Sequence, residues 1–182
     1  MEISKLGNTV YASENKIGPF NTLKNNIENT DVIPLFKDGL KDIPSDVNTA
    51  LILGMGGETI FDILTKDVNA LKSLNKIIIE PQSSFQLPIS YLLDHHFINI
   101  GGAYVFERHY YPLLAFKRCD EKIDKEYSEI EKEFGVYPVN NKDPLLKEYL
   151  LSLRDELSNY VSKSKKNYDK IIKLDEYLKL WN

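Results

Sequence analysis

The sequence predicts an α/β fold: a doubly wound, mostly parallel sheet closed by an antiparallel edge pair and followed by a C-terminal helical hairpin. Three observations predict it. Short apolar, β-prone runs alternate with stretches of helical spacing; the runs end in glycine- or proline-bearing turns; and beyond residue 118 the alternation gives way to a charge-dense segment and a long helical stripe.

Thr9 to Ser13 is a β-prone run that ends at Glu14, and Gly18-Pro19 opens helical spacing through Ile27. Val32 to Phe36 reads as a second strand, placed at a sheet edge by Pro34, which has no N–H for a ladder. Lys37-Asp38-Gly39-Leu40 then makes a turn. Thr49 to Leu53 is continuously apolar, as in a strand buried on both faces, and stops at Gly54-Met55-Gly56-Gly57. Ile60, Phe61, Ile63 and Leu64 mark the helix behind these glycines. Lys76 to Ile79 repeats the strand pattern, ends at Glu80-Pro81-Gln82, and leads into a helix through Leu87, Ile89, Leu92 and Leu93. Phe97 to Ile100 and Tyr110 to Lys117 surround Gly101-Gly102 with no helix between them, which makes them the closing antiparallel pair.

Cys119 to Glu133 is dense in charge, and Phe134-Gly135-Val136-Tyr137-Pro138 breaks any helix. This places a first domain at 1–118 and a second at 119–182. Leu146, Tyr149, Leu150, Leu153, Leu157, Tyr160 and Val161 recur at helical spacing, and Tyr168, Ile171, Ile172, Leu174, Leu178 and Leu180 continue the stripe. Two packed helices, or one long coiled-coil-like helix, satisfy it. Asp143-Pro144 supplies the N-cap and first-turn proline.

Composition narrows the function classes. The 182 residues are 42% hydrophobic and 27% charged, too apolar for disorder and enough for one core-bearing domain with a modest attachment. A net charge of -4 creates no overall positive field, so any nucleic-acid contact must use a local patch. Cys119 is the single cysteine, which excludes an intramolecular disulfide and a thiolate-rich zinc site and points to a reducing compartment. His95, His96 and His109 lack metal-ligand spacing, so no metal is expected. No apolar run approaches the roughly 20 residues of a membrane span. The start lacks the apolar stretch of a signal peptide, so a cytoplasmic protein without a membrane partner is expected.

In a doubly wound sheet ligands bind at the carboxyl ends of the strands. Glu14, at one such end, is either an acceptor for the two hydroxyls of a ribose or a solvated carboxylate. Asp38-Gly39 can lie beside a planar ring or serve only as a turn. Gly54-Met55-Gly56-Gly57 is the most informative motif: its glycines admit close approach of a ligand and the following helix start can offer amides to a polar group, or the block is only a tight strand-to-helix turn. Glu80-Pro81-Gln82 adds an acceptor and an amide, or is again a turn. A P-loop, a dinucleotide fingerprint and a serine nucleophile elbow are all missing. Glu107, Arg108, His109, Tyr110 and Tyr111 form a rim whose aromatics can stack on a base or fill an edge strand. Lys163, Lys165, Lys166, Lys170 and Lys173 make a basic cluster that suits RNA phosphates or a solvated helix face equally.

In combination these blocks resemble the bacterial TrmK-type tRNA (adenine-22-N1)-methyltransferases over nearly the whole chain. Ala12-Ser13-Glu14-Asn15-Lys16-Ile17-Gly18-Pro19 looks like the family's ribose-binding segment, and Asp38-Gly39-Leu40 like its adenine-side turn. Leu53-Gly54-Met55-Gly56-Gly57 is similar to its Ala-Gly-Met-Gly-Gly block. Ile79-Glu80-Pro81-Gln82 resembles its Leu-Gln-Pro-Asn, with Glu and Gln replacing Gln and Asn. Glu107 to Tyr111 and Phe134-Gly135 are similar to its later strand and to the junction before its coiled coil.

The resemblance implies a Rossmann-like class I methyltransferase lobe with a C-terminal coiled-coil hairpin, S-adenosyl-L-methionine as methyl donor, and N1 of a tRNA adenine as acceptor. It implies cofactor contacts from Glu14, Asn15, Asp38, Gly39 and Gly54, and catalytic positions at Gly54, Met55, Gly56, Gly57 and Glu80. Tyr111, Lys163, Lys165 and Lys166 are the expected RNA contacts, and a monomer or weak dimer is the expected state. One block departs: the family opens on a strand ending in an Asp-x-Gly-x-Asp-His-like loop, and no segment here matches it. The lobe is therefore expected to be N-terminally truncated, lacking its first strand and leaving two strand edges unpaired. The alternative is a catalytically inactive paralogue that binds RNA or a partner.

Overall fold

The computed structural model describes residues 2–121, 125–159 and 165–181. In chain order it contains α1 (Glu2–Lys5), β1 (Val10–Glu14), α2 (Ile17–Asn26), β2 (Val32–Phe36), β3 (Thr49–Met55), α3 (Gly57–Lys66) and α4 (Val68–Ser73). There follow β4 (Lys76–Pro81), α5 (Gln86–Asp94), β5 (Phe97–Glu107), β6 (His109–Arg118), α6 (Glu129–Phe134), α7 (Val136–Asn140), α8 (Pro144–Ser158) and α9 (Lys165–Leu178). The chain divides into two compact units, Met1–Val47 with Asp62–Ser73, and Asn48–Phe61 with Leu74–Asn182.

In the first unit β1 and β2 pair in parallel, Val10 opposite Val32 and Glu14 opposite Phe36, with α2 as the crossover that parallel pairing requires. Pro34 lies opposite Ala12, and β2 pairs with β1 alone among the described residues. Its proline therefore has no second ladder to interrupt, as its edge position predicts. Ile27, Val32, Leu40, Leu64 and Leu71 are the buried apolar residues of this unit.

The second unit holds a four-stranded sheet of order β3-β4-β6-β5, in which β3 and β4 are parallel and β6 is antiparallel to both its neighbours. The closing pair is longer than the sequence predicts. Gly101 and Gly102 lie inside β5, where the register shifts between Asn99 and Gly101. The Asn99 side-chain amide donates to the carbonyls of Gly101 (2.8 Å) and Ala115 (2.9 Å), so a bulge that reads as a break in the sequence is bridged. The strands run on to a tight turn at Arg108, with Glu107 opposite His109; the predicted rim is thus the tip of a hairpin.

Side chains alternate between the faces of this sheet. Ala50 and Ile52, Ile77 and Ile79, Leu114 and Phe116 share one face and are buried. Leu51 and Leu53 point the other way and are 46% and 44% exposed, so β3 is not buried on both faces as its apolar run predicts. β3 pairs with β4 alone, and β1 with β2 alone, among the described residues. A strand's own sequence records its apolarity and not whether a neighbour covers it.

The helices after β6 start where the sequence places them. Asp143 caps α8 by accepting from the Leu146 amide at 2.9 Å, with Pro144 in the first turn. Its second carboxylate oxygen accepts from the Tyr104 amide of β5 at 3.2 Å, and its backbone carbonyl accepts from the Trp181 indole at 3.2 Å. Gly135, with φ of 97°, separates α6 from α7; Pro138 lies within α7, so the break there is followed by more helix. The C-terminal stripe forms two helices that pack together, joined by an Arg154–Asp175 ion pair at 3.6 Å. Tyr160 and Val161 of that stripe lie outside the described residues. No helix of the described residues is long and apolar enough to cross a membrane, and no group of three or more His, Cys, Asp or Glu among them could hold a metal ion.

Glu131 is the buried carboxylate of this region. Burial pushes its carboxyl upward, but bonds from the Ser128 amide (2.9 Å), Lys125 (3.0 Å) and the Ser128 hydroxyl (2.8 Å) outweigh it and hold the group below its ordinary value. A lowered folded value means that the stabilisation is present above the unfolded carboxyl range and is lost as pH falls through the folded value. Glu131→Gln is expected to lower the unfolding midpoint at neutral pH and to flatten this acid-dependent loss, read from urea titrations in steps from neutral to acid pH. Asp143→Ala removes a cap and leaves the Tyr104 amide unpaired, and is expected to cost about 2 kcal/mol with the urea slope unchanged.

Candidate active site

Glu14 and Asp38 stand at and just beyond the carboxyl ends of the parallel strands of the first unit. One Glu14 carboxylate oxygen accepts from the Lys16 amide at 2.8 Å. The Asn15 side-chain amide donates to one oxygen of Asp38 at 3.0 Å, and Lys66 of α3 reaches the other at 3.0 Å. The Lys66 bond, followed by that from Asn15, holds the Asp38 carboxyl below its ordinary value. Gly39 follows with φ of 57°, and a β-carbon there would stand 3.0 Å from the Ile63 side chain, so the turn depends on glycine. The structure thus joins Glu14, Asn15, Asp38 and Gly39 into one polar strand end. Lys66 was not predicted: a lysine in the last turn of a helix carries no local sign of the carboxylate it meets.

In the second unit the ends of β3 and β4 are tied together. The Gly54 amide donates to Glu80 Oε2 at 2.6 Å, the Gln82 amide to the Met55 carbonyl at 2.8 Å, and the Gly57 amide to the Ser83 carbonyl at 2.8 Å. Gly54 has φ of 73°, and the ladder shifts register between Leu53 and Met55. The predicted block Gly54-Met55-Gly56-Gly57 and the predicted Glu80 are therefore partners. One expectation changes: the Gly57 amide at the start of α3 is already bonded to Ser83 and is not offered to a ligand. Ser83 and Ser84 complete this strand end and were not singled out in the sequence. Their signal was only their position directly after Glu80-Pro81-Gln82.

Of the expected RNA contacts, Tyr111 is half-buried on β6, opposite Val105 and edge-on to His109 with ring centroids 6.4 Å apart. Lys165 and Lys166 are exposed at the start of α9, and Lys163 lies outside the described residues. Lys173 leaves the predicted basic cluster, because it pairs with Glu133 at 3.1 Å.

The family model for the methyltransferase domain matches residues 3–114, which takes in β1 to β5 and β6 as far as Leu114. The chain belongs to the methyltransferase-domain family. Its fold is shared with solved structures. The Streptococcus pneumoniae protein Sp1610, in complex with S-adenosyl-L-methionine, superposes with a TM-score of 0.84 at 21% identity, over 97% of this chain and 85% of that one. M. capricolum TrmK, in complex with S-adenosyl-homocysteine, gives 0.80 at 22% identity, over 96% and 82%. The B. subtilis m1A22 tRNA methyltransferase TrmK gives 0.73 at 19% identity, over 95% and 80%. Identities this low convey the Rossmann-like methyltransferase fold. No curated protein matches the sequence.

The glycines of the β3 end differ in what they tolerate. A β-carbon on Gly57 would collide with the backbone carbonyls of Ser83 and Ser84, whereas on Gly54 it meets nothing closer than the Gln82 side-chain nitrogen at 3.9 Å. Gly57→Ala is expected to cost about 3 kcal/mol through forced backbone shifts. Gly54→Ala should cost about 1–2 kcal/mol, from its left-handed backbone alone. Urea unfolding of both variants checks the order, and the reverse order would contradict the packing described.

Proposed function

We propose that this chain transfers a methyl group from S-adenosyl-L-methionine to N1 of an adenine in tRNA. The observation that carries the reading is a methyltransferase-domain match across strands whose carboxyl ends bear, unit by unit, Glu14 with Asp38 and Gly54 with Glu80. The name of the B. subtilis structure, an m1A22 tRNA methyltransferase, supports the choice of a tRNA adenine as acceptor.

The donor set fits the cofactor. Glu14 has committed one carboxylate oxygen to Lys16, which leaves the other to accept from ribose hydroxyls. Asn15 and Asp38 offer an amide and a carboxylate to an adenine edge, and the left-handed Gly39 makes the turn that presents them. When bound, S-adenosyl-L-methionine supplies a methyl group already activated by its sulfonium, so the protein needs no nucleophile of its own.

What remains for the chain is alignment. Gly54, Met55, Gly56 and Gly57 form the wall against which the acceptor base lies. Adenine N1 is hidden in a paired or stacked base, so the base must flip out to reach this wall. N1 carries a lone pair, so no base has to act before attack. Glu80 is fixed through one oxygen by the Gly54 amide, and its other oxygen accepts from the exocyclic amine that sheds a proton after methylation. Tyr111 stacks on a base, while Lys163, Lys165 and Lys166 of the 119–182 domain meet phosphates.

Calorimetric titration with S-adenosyl-L-methionine, followed by transfer of labelled methyl to tRNA and nucleoside analysis for 1-methyladenosine, tests the reading. Asp38→Ala is expected to weaken cofactor affinity about tenfold, equivalent to about 1.4 kcal/mol. Glu80→Gln retains an acceptor for Gly54 and should leave cofactor affinity unchanged while lowering kcat about 100-fold. No cofactor binding together with no methyl incorporation would sink the proposal.

A further inference from the structure

We infer that the cavity between the start of α5 and helices α6 and α8 is a pocket for a second nucleobase, one that flanks the methylated adenine in the RNA. The inference rests on the tRNA-methyltransferase reading for the identity of the RNA. The cavity lies wholly within the second unit and measures about 580 Å³, well inside the range of small-ligand sites.

Its walls have the chemistry of a base site. Tyr149 and Phe85 face it as rings 5.9 Å apart, and Leu153 adds an apolar surface. Tyr149 is backed by Tyr110 (5.4 Å), Tyr104 (5.8 Å) and Phe134 (6.2 Å), so its ring is held in place before anything binds. Burial, reinforced by Glu133 and Glu156, pushes its hydroxyl up to about 12. Gln82 and Gln86, both exposed, offer paired donors and acceptors that suit the edge of a base. Glu133, anchored by Lys173, adds a carboxylate that repels phosphate and accepts from an exocyclic amine. The pocket therefore favours a base over backbone.

The same geometry separates this pocket from the transfer site. The Ser83–Ser84 backbone is packed directly against Gly57, and the cavity lies along that loop while drawing no wall from Gly54–Gly57 or Glu80. A base in the cavity is thus a neighbour of the one attacked. Stacking of a base on an aromatic side chain is strong enough to fix which nucleotide is presented.

A tRNA transcript carrying 2-aminopurine at one of the two nucleotides flanking the acceptor adenine is the probe, because stacking quenches its emission. Quenching by the full chain is expected at one of the two positions. Leu153→Trp fills the cavity without adding charge and should weaken the quenching midpoint at least tenfold. Tyr149→Phe keeps the ring and should hold it within twofold. Cofactor affinity, measured by calorimetry on the same proteins, should be unchanged in both. Gln86→Trp, at the exposed rim, replaces Leu153→Trp if that variant unfolds more readily. Absence of quenching, or an unchanged midpoint in the filled variant, overturns the pocket. Methyl transfer without quenching removes the pocket and leaves the enzyme reading intact, whereas quenching lost on filling, with no transfer, does the reverse.

Discussion

The site depends on the hydrogen bond between the Gly54 amide and the Glu80 carboxylate, together with the two backbone bonds beside it from Gln82 to Met55 and from Gly57 to Ser83. Ladder pairing between β3 and β4 ends here, and chains leaving parallel strands have no reason of their own to stay together. These bonds continue the contact by one further turn, and they require glycine: Gly54 for its left-handed backbone, Gly57 because the Ser83 and Ser84 carbonyls occupy the place of a side chain. An amide at a helix start that would otherwise lack a partner is satisfied in the same step. The strand ends thereby become a rigid shelf, as a reaction governed by alignment needs.

A second tie holds the C-terminal helices of the second unit to its sheet. Asp143 serves α8, β5 and Trp181 at once, and the Tyr104 hydroxyl donates to the Phe134 carbonyl at 3.2 Å from a fully buried position. These polar bonds are few, and each contributes modestly. The aromatic cluster around Tyr149 supplies the larger apolar area, with the polar bonds fixing its register. Helices attached in this way present a fixed wall to the β4–α5 loop, so the cavity there is shaped by the fold and does not await a ligand to form it.

Much of this was legible in the sequence where the cause is local. Asp143-Pro144 announces a helix start because the capping carboxylate and the proline act within one turn, and Gly54 to Gly57 announces a turn or a close approach because both exploit a missing side chain. The strand-end positions of Glu14, Asp38 and Glu80 are legible because strand ends can be counted from apolar runs. The failures are all tertiary. Leu51 and Leu53 look like the core of a doubly covered sheet, but their exposure depends on elements remote in the chain. Gly101-Gly102 looks like a loop until Asn99 is seen to bridge the bulge. Lys66 and Lys173 look like solvated cations until Asp38 and Glu133 are placed beside them.

Asp38 and Glu80 are held by bonds of different kinds, and the difference matters. Asp38 is held by Lys66 across an ion pair with both side chains about half exposed, a class of contact that contributes roughly 0–1 kcal/mol. Exchanging that lysine for a ligand donor costs little, which suits the cofactor-binding part proposed for Asp38. Glu80 is held by a backbone amide at 2.6 Å that cannot swing away without unmaking the turn at Gly54. It keeps one oxygen committed throughout and presents the other in a constant direction. An exchangeable carboxylate suits binding, and a fixed one suits the reacting side. Each strand end combines a carboxylate with a glycine of positive φ, Asp38 with Gly39 in the first unit and Glu80 with Gly54 in the second.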